Sequence, residues 1–221
     1  RYPQHRRAFV GMLIASLCHG HVTWHQIVDW LRIDESALKR DVQNEKLFDF
    51  TSGGREWHSI TSAQLAHHIF ATVDIGDDVL VEVYTTIVRE TAYSSSDPRS
   101  GVDAEENLKE LMKYRFLTKL FGRTSDSTGH IEAVYQRLSG APKIRGNDQF
   151  WLQYAMTNID LNRLPEAETY IGRALQIAEQ KGPNYSKHQI IDQRSRLLLK
   201  KNTQRKGEPN STEIDRAVKD L

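Results

Sequence analysis

The sequence predicts a mainly α-helical protein in which one short β-hairpin interrupts a long series of helices. Apolar residues recur at helical spacing along most of the 221 residues, and this spacing changes clearly to alternation between residues 48 and 60. A Ser-Ser-Ser-Asp-Pro stretch around residue 97 breaks the helical pattern again, which indicates a linker between two domains.

Three helices are predicted before residue 48. Residues 8–18 are apolar on every side, which is typical of a buried helix. Thr23 is a suitable N-cap for a second helix, and a third helix over residues 35–47 turns Leu38 and Val42 inward. The second helix carries a complete amphipathic stripe, formed by Trp24, Ile27, Val28 and Leu31.

The alternating stretch predicts a β-hairpin. Phe48 and Phe50 alternate with polar neighbours before a Ser-Gly-Gly-Arg turn, and Trp57 begins a second alternating run. A helix returns after the hairpin. Three helices, a hairpin and a returning helix form a winged-helix unit, which we assign to residues 1–75.

The chain after this unit is predicted to be helical apart from one linker. Residues 76–93 are predicted as a connecting helix because Asp77 and Asp78 complement the positive end of a helix dipole, although three valines also alternate as in a strand. The linker covers residues 94–102. An antiparallel helical domain follows over residues 103–221.

Two segments of this domain are well patterned. Asp103 and Glu106 form a capping box that opens a helix, which is predicted to continue to Gly122. Residues 148–180 form two helices that meet near Asn162. Three further helices complete the domain: one that carries the stripe Ile131, Val134, Tyr135 and Leu138, and two over residues 186–201 and 212–221.

The composition is that of an ordinary soluble protein, with 38% hydrophobic residues, 27% charged residues and a formal net charge of +1. A net charge this small gives no overall electrostatic attraction to nucleic acid or to an anionic membrane, so binding of either requires a local patch of positive charge. The single cysteine, Cys18, excludes an intrachain disulfide framework and a multi-cysteine zinc site. Its place in an apolar helix favours buried packing.

The N-terminus has features of a signal peptide, since Arg6 and Arg7 precede an apolar run. No small-x-small cleavage site follows, and the run is too short to span a bilayer. We therefore predict a cytoplasmic protein with no membrane partner. The absence of an initiator Met and the abrupt start at Arg1 lead us to expect a fragment of a longer protein.

No sequence motif for catalysis is present. The chain contains no phosphate-binding loop, no paired thiols, no HExxH and no nucleophile elbow, so we predict a non-catalytic chain without a cofactor of its own. His19, His21 and His25 lie close together, but they straddle a helix end and a loop without fixed ligand geometry. We therefore predict no metal site.

One face of the third predicted helix is a candidate DNA-binding surface. Its basic and amide side chains fall opposite Leu38 and Val42, where they are placed to meet phosphates and base edges. A solvated helix face of mixed charge is the competing interpretation, because Asp41 and Glu45 flank the buried stripe. The candidate DNA contacts are Ser36, Lys39, Arg40, Gln43 and Lys46, with Arg55 at the wing tip.

The segment over residues 148–180 carries a spaced series of one large aromatic and several small or aliphatic residues. These are Trp151, Ala155, Ala167, Ile171 and Ala174. The series resembles a tetratricopeptide repeat, in which small residues let two helices cross closely and the aromatic fills the gap beside them. Tyr154, Asn158 and Glu179 stand where that repeat usually has leucine, an aromatic and proline. One repeat cannot bury its own face, so we expect it to stack on adjacent helices.

A buried helix, a winged helix, a helical spacer and a repeat-like pair starting at Phe150-Trp151-Leu152-Gln153 follow one another in this chain. This order resembles the region after the nucleotide-binding core of STAND-type NTPases. These are signal-transducing ATPases, many of them prokaryotic defence or regulatory proteins. Their winged helix packs on the nucleotide domain, and their repeat domain senses a trigger.

The resemblance implies a regulatory and protein-binding segment of a larger protein. Its partners would be its own nucleotide-binding domain and a protein trigger, with ATP bound elsewhere in the full-length protein. In that family a histidine of the winged helix reports on the bound nucleotide. His58 is the nearest candidate here, whereas an alignment on Leu65 and Ala66 puts Ala63 at that place.

Two functions therefore compete. The first is a non-catalytic relay between a nucleotide domain and a trigger-binding helical domain. The alternative is a winged-helix transcriptional regulator that binds DNA and whose C-terminal helices dimerise or receive a signal. We take the relay as the main prediction.

Overall fold

The computed structural model describes residues 4–17, 24–34, 36–37, 63–73, 75–95, 101–122, 126–204, 211–212 and 214–215. Within these residues the chain forms eleven helices and no strand, so the prediction of a mainly α protein is confirmed for this part of the chain. The helices are α1 (Gln4–Leu17), α2 (Trp24–Trp30), α3 (Ala63–Thr72), α4 (Asp77–Ser94), α5 (Gly101–Met112), α6 (Tyr114–Phe121), α7 (Ser127–Ser139), α8 (Pro142–Arg145), α9 (Asp148–Asp160), α10 (Leu164–Gln180) and α11 (His188–Gln204).

The predicted β-hairpin at residues 48–60 and most of the predicted third helix lie outside the described residues. The start of that helix is described. The backbone N–H groups of Ser36 and Ala37 donate to Oδ1 of Asp34 at 3.0 and 3.1 Å. Asp34 therefore caps a helical turn where the sequence predicts the third helix to begin. Its own N–H donates to Oε1 of Gln4 at 2.8 Å, which ties this turn to α1.

Contacts between residues divide the chain into two compact units. The first unit comprises residues 1–111 and 115–138, and the second comprises residues 112–114 and 139–221. The sequence places the domain boundary earlier, at residues 94–102, and residues 96–100 of that linker are outside the described part of the chain.

The first unit is built around α1 and α4. α1 packs against α2, α3 and α4, and residues are buried around most of its circumference, as expected for a helix that is apolar on every side. Along α4, Val79, Val83 and Ile87 are fully buried at helical spacing, and Val81 is buried as well. The alternation of the valines thus reflects a helix enclosed on most sides, and the connecting segment is helical as predicted.

Ring contacts and one hydrogen bond join α4 to the helices that follow it in the first unit. The hydroxyl of Tyr84 donates to the carbonyl of Leu111, and its ring meets Phe121 edge-on with centroids 6.2 Å apart. Nε2 of His130 lies 3.7 Å from Oδ2 of Asp77 at the start of α4. None of the helices in the described residues is long and apolar enough to cross a membrane.

The single helix predicted from Asp103 to Gly122 is wrong, because the structure has two helices, α5 and α6, that break at Lys113. The N–H of Tyr114 donates to Oε1 of Gln153 on α9 at 3.1 Å. The side chain of Gln153 thus takes the place of the backbone carbonyl that would accept this N–H in a continuous helix. The apolar spacing of the sequence does not indicate the break.

The second unit is a helical hairpin with a third helix packed on it. α10 packs along α9, and α11 packs on both. Asn147 caps α9 by accepting hydrogen bonds from the N–H groups of Gln149 and Phe150 at 2.9 and 3.2 Å. Pro165 lies in the first turn of α10, where its missing N–H leaves no hydrogen bond unmade.

Alanine substitutions at two helical glycines should change stability in opposite directions. At Gly11 in α1, a Cβ would lie 2.7 Å from Cγ2 of Ile27 and 3.1 Å from Cδ1 of Leu31. Gly11→Ala should destabilise the first unit by about 1 kcal/mol, because crowding outweighs the gain in helix propensity. A Cβ at Gly172 in α10 meets nothing within 4 Å. Gly172→Ala should therefore stabilise the second unit by about 1 kcal/mol. Urea unfolding followed by circular dichroism measures both changes in the free energy of unfolding. If both substitutions changed it in the same direction, the close packing of α1 on α2 would be contradicted.

Candidate functional site

The predicted repeat-packing residues all lie between α9 and α10 in the second unit. Ala155, Ala167 and Ala174 have no exposed surface, and Trp151 and Ile171 are also buried. Because alanine has no side chain beyond Cβ, the two helix backbones can approach closely along this line. The hairpin is therefore packed through small residues over most of its length.

An aromatic stack, formed by Trp151, Tyr154 and Tyr170, fills one edge of the hairpin. The ring centroids of Tyr154 and Tyr170 are 4.1 Å apart with the planes at 16°, and those of Trp151 and Tyr170 are 5.6 Å apart at 28°. The guanidinium carbon of Arg173 lies 4.6 Å from the centroid of Trp151, a cation–π contact. The indole N–H of Trp151 donates to the carbonyl of Arg145 at 2.9 Å.

Two residues that differ from the predicted tetratricopeptide pattern make specific contacts within the hairpin. Tyr154 stands where leucine is usual, and its ring stacks on Tyr170 instead of packing as an aliphatic group. Asn158 stands where an aromatic is usual, and its buried Nδ2 donates to the carbonyl of Tyr154 at 2.8 Å. A buried amide is tolerated at this position because it has a hydrogen-bond partner.

An ionic clamp, formed by Asp148, Lys181 and Tyr185, closes the open end of the hairpin. Nζ of Lys181 donates to Oδ1 of Asp148 at 2.5 Å, and the hydroxyl of Tyr185 donates to Oδ2 at 2.9 Å. Nζ of Lys181 also lies 4.5 Å from the centroid of the Tyr185 ring. The carboxylate of Asp148 has no exposed surface, whereas the side chain of Lys181 is 38% exposed. The clamp joins the start of α9, the end of α10 and the loop that leads to α11.

The environment of Lys181 keeps it protonated. Burial lowers the pKa of Lys181, but its hydrogen bonds to Asp148 and Tyr185 and the negative charge of Asp148 outweigh burial, so the pKa is raised above its ordinary value. A lysine nucleophile requires the opposite shift, toward the neutral amine. Lys181 is therefore suited to hold a carboxylate and unsuited to attack a substrate.

The cations of α11 are largely used within the second unit. Arg196 pairs with Asp160 at 2.6 Å, Lys201 pairs with Glu168 at 2.8 Å, and Nζ of Lys200 donates to the carbonyl of Ile159. These contacts fasten α11 to the end of α9 and to α10. Burial, together with the charge of Asp160, raises the pKa of Tyr114 in the same unit.

The other residues singled out by the sequence lie mostly outside the described part of the chain. Ser36 is described and exposed. His58 and the remaining candidate DNA contacts, Lys39, Arg40, Gln43, Lys46 and Arg55, lie outside it, as do His19 and His21. Among the described residues, no three His, Cys, Asp or Glu side chains are grouped closely enough to hold a metal ion.

Sequence reasoning missed the ionic clamp and the role of Arg173. Asp148 and Lys181 are 33 residues apart, and no periodic pattern links them. The one available signal was that a helix pair meeting near Asn162 must bring the start of its first helix close to the end of its second. Charged residues at those two ends are therefore candidates for pairing.

Comparison of the chain with protein-family models, with curated proteins and with solved structures returned no match.

Proposed function

We propose that this chain is a non-catalytic regulatory segment of a larger STAND-like signalling NTPase, in which the helices of the second unit bind a protein partner or trigger. The winged-helix part of the first unit then relays conformational state to a nucleotide-binding domain, which carries the ATP. A role in prokaryotic defence fits this class of protein.

The packing of α9, α10 and α11 is the observation that supports this proposal most directly. A hairpin joined through alanines, with a third helix laid on it, is the arrangement by which helical repeats stack. Stacked helices of this kind offer a rigid surface built from residues that are far apart in sequence, which suits protein binding. The protonated state of Lys181 agrees with a holding role for the clamp.

The relay can be tested with the nucleotide-binding domain itself. The natural reading frame is expected to encode a Gly-Lys-Ser/Thr phosphate loop ahead of Arg1. The domain that carries this loop, purified separately, should bind the present chain with an affinity that differs at least about fivefold between its ADP and ATP states, measured by calorimetry. His58→Ala should reduce that difference. A reading frame without the loop, or equal affinity in both nucleotide states, would overturn the proposal.

DNA binding is the competing outcome, and a titration with duplex DNA at two salt concentrations separates it from the relay. Under the proposed function the chain should show no salt-sensitive, sequence-dependent binding. Binding that weakens steeply with salt and disappears in a Lys39→Glu, Arg40→Glu variant would instead identify a DNA-binding regulator.

A further inference from the structure

Helix α11 contributes few apolar side chains to the core of the second unit. Its buried apolar residues are Ile190 and Leu197. The shorter helix α9 buries six, which are Phe150, Trp151, Leu152, Tyr154, Ala155 and Ile159. Because the apolar area removed from water is the main force that holds a helix in place, α11 is held less firmly in this way than α9.

Two polar side chains share the buried side of α11 with these apolar residues. Ser195 has no exposed surface, and within the described residues its hydroxyl has no hydrogen-bond partner. Asn202 is buried as well, and its Nδ2 donates to the carbonyl of Leu198 in its own helix at 2.9 Å. A hydroxyl that loses its hydrogen bonds to water and gains none in the protein opposes burial. Ser195 therefore weakens the packing of α11.

Polar contacts supply the rest of the attachment of α11. They are Arg196 with Asp160, Lys200 with the carbonyl of Ile159, Lys201 with Glu168, and Gln204 with Asn162. The side chains of Asp160 and Glu168 are 35% and 60% exposed. Ion pairs at such exposure contribute little to stability and are screened by salt.

The α9–α10 hairpin has contacts of its own that do not involve α11. Its helices meet through the line of alanines and the aromatic stack, and the ionic clamp joins their open end. The clamp also holds Tyr185, three residues before α11 begins. The hairpin can therefore stay folded, and the chain anchored at Tyr185, when α11 leaves.

We infer that α11 is a detachable latch on the α9–α10 hairpin, which opens while the hairpin stays folded. Segments with few buried apolar contacts and exposed polar contacts open before the rest of a protein, and α11 has both features. Opening uncovers the part of the hairpin on which α11 packs and frees the carboxylates of Asp160 and Glu168. The inference rests on the proposed protein-binding role of the second unit, because the latch regulates access of the partner to this surface.

Hydrogen–deuterium exchange of the full chain, followed by mass spectrometry, compares the three helices in one sample. Amides in the middle of α11, over residues 193–200, should exchange about tenfold or more faster than those in the middle of α9 and α10. Raising the salt concentration from about 0.05 to about 0.5 M should speed exchange in α11 about threefold, because exposed ion pairs are screened. Exchange in α9 and α10 should change little.

Substitutions test the cause of the opening. Arg196→Gln, Lys201→Gln removes both ion pairs of α11 and should speed its exchange by about fivefold. The matched control, Arg145→Gln, Lys143→Gln, also removes one arginine and one lysine from the second unit. Both are exposed, and neither forms an ion pair with any other described residue. The control should change exchange in α11 by less than about twofold. Ser195→Ala should slow it, because the unpaired hydroxyl is removed.

The inference fails in three cases. One is exchange in the middle of α11 that is as slow as in α9 and α10. Another is equal acceleration of all three helices in Arg196→Gln, Lys201→Gln, which would show that the second unit opens as a single body. The third is equal acceleration of α11 by the control variant. These measurements do not involve the nucleotide-binding domain, so a chain without a latch can still show the nucleotide-dependent binding of the proposed function.

Discussion

Replacing Trp151 with alanine should destabilise the second unit by about 3–5 kcal/mol, the range for removing a large buried aromatic side chain. Trp151 is 2% exposed and fills the edge of the α9–α10 hairpin. Its removal takes away the stacking on Tyr170, the cation–π contact with Arg173 and the hydrogen bond to the carbonyl of Arg145. The cavity and the unpaired carbonyl both raise the free energy of the folded state.

Two matched variants give reference values for the stability lost in Trp151→Ala. Trp151→Phe keeps an aromatic ring but removes the indole N–H, so it should cost less, about 1–2 kcal/mol. Leu199→Ala removes a large apolar side chain from α11 that is 39% exposed, and it should cost less than about 1 kcal/mol.

Urea unfolding of the full chain measures these changes, with far-ultraviolet circular dichroism as the signal. Fluorescence is unsuitable here, because Trp151 is the tryptophan of the second unit and its removal deletes the probe. A cost for Trp151→Ala as small as that of Leu199→Ala would show that the aromatic stack does not hold the hairpin together.

Replacing Lys181 with methionine should destabilise the second unit by about 1–3 kcal/mol, because it leaves a buried carboxylate with one partner fewer. The matched control is Lys201→Met. Both lysines are partly exposed, at 38% and 32%, but the carboxylate of Asp148 is fully buried whereas that of Glu168 is 60% exposed. Water can replace the lysine at Glu168 and cannot do so at Asp148. Lys201→Met should therefore cost less than about 1 kcal/mol.

A double variant tests whether the buried charge of Asp148 causes the destabilisation in Lys181→Met. In Lys181→Met, Asp148→Asn the uncompensated carboxylate is replaced by a neutral amide, so this variant should be more stable than Lys181→Met alone. If the double variant loses the sum of the two single losses, the two side chains do not interact energetically, and the clamp does not contribute to the stability of the hairpin.

The same clamp should make the second unit sensitive to alkaline pH. The pKa of Lys181 is higher in the folded chain than in the unfolded chain, so its contribution to stability is complete below the unfolded pKa of about 10.4. That contribution is lost as the pH rises through the folded pKa. Urea midpoints measured across this range should fall with pH, and they should fall less steeply in Lys181→Met than in the parent chain.

The sequence by itself determined the mainly helical fold and the α9–α10 hairpin. Helical periodicity is local, since residues three and four apart share a face whatever surrounds them. Ala155, Ala167 and Ala174 could be assigned to a close helix crossing, and Trp151 to the gap beside it, because their series resembles that of a tetratricopeptide repeat. The helix over Asp77 and Asp78 was predicted on the same local grounds.

Only the tertiary structure decided where the helices break and which charges meet. The break at Lys113 depends on the side chain of Gln153, and the clamp depends on Asp148 and Lys181, which the hairpin brings together across 33 residues. It likewise showed that Arg196 and Lys201 of α11 form ion pairs, while Arg173 lies over Trp151 without an ion pair among the described residues. Such partners are set by the packing of whole helices, so the pattern of any one segment cannot reveal them.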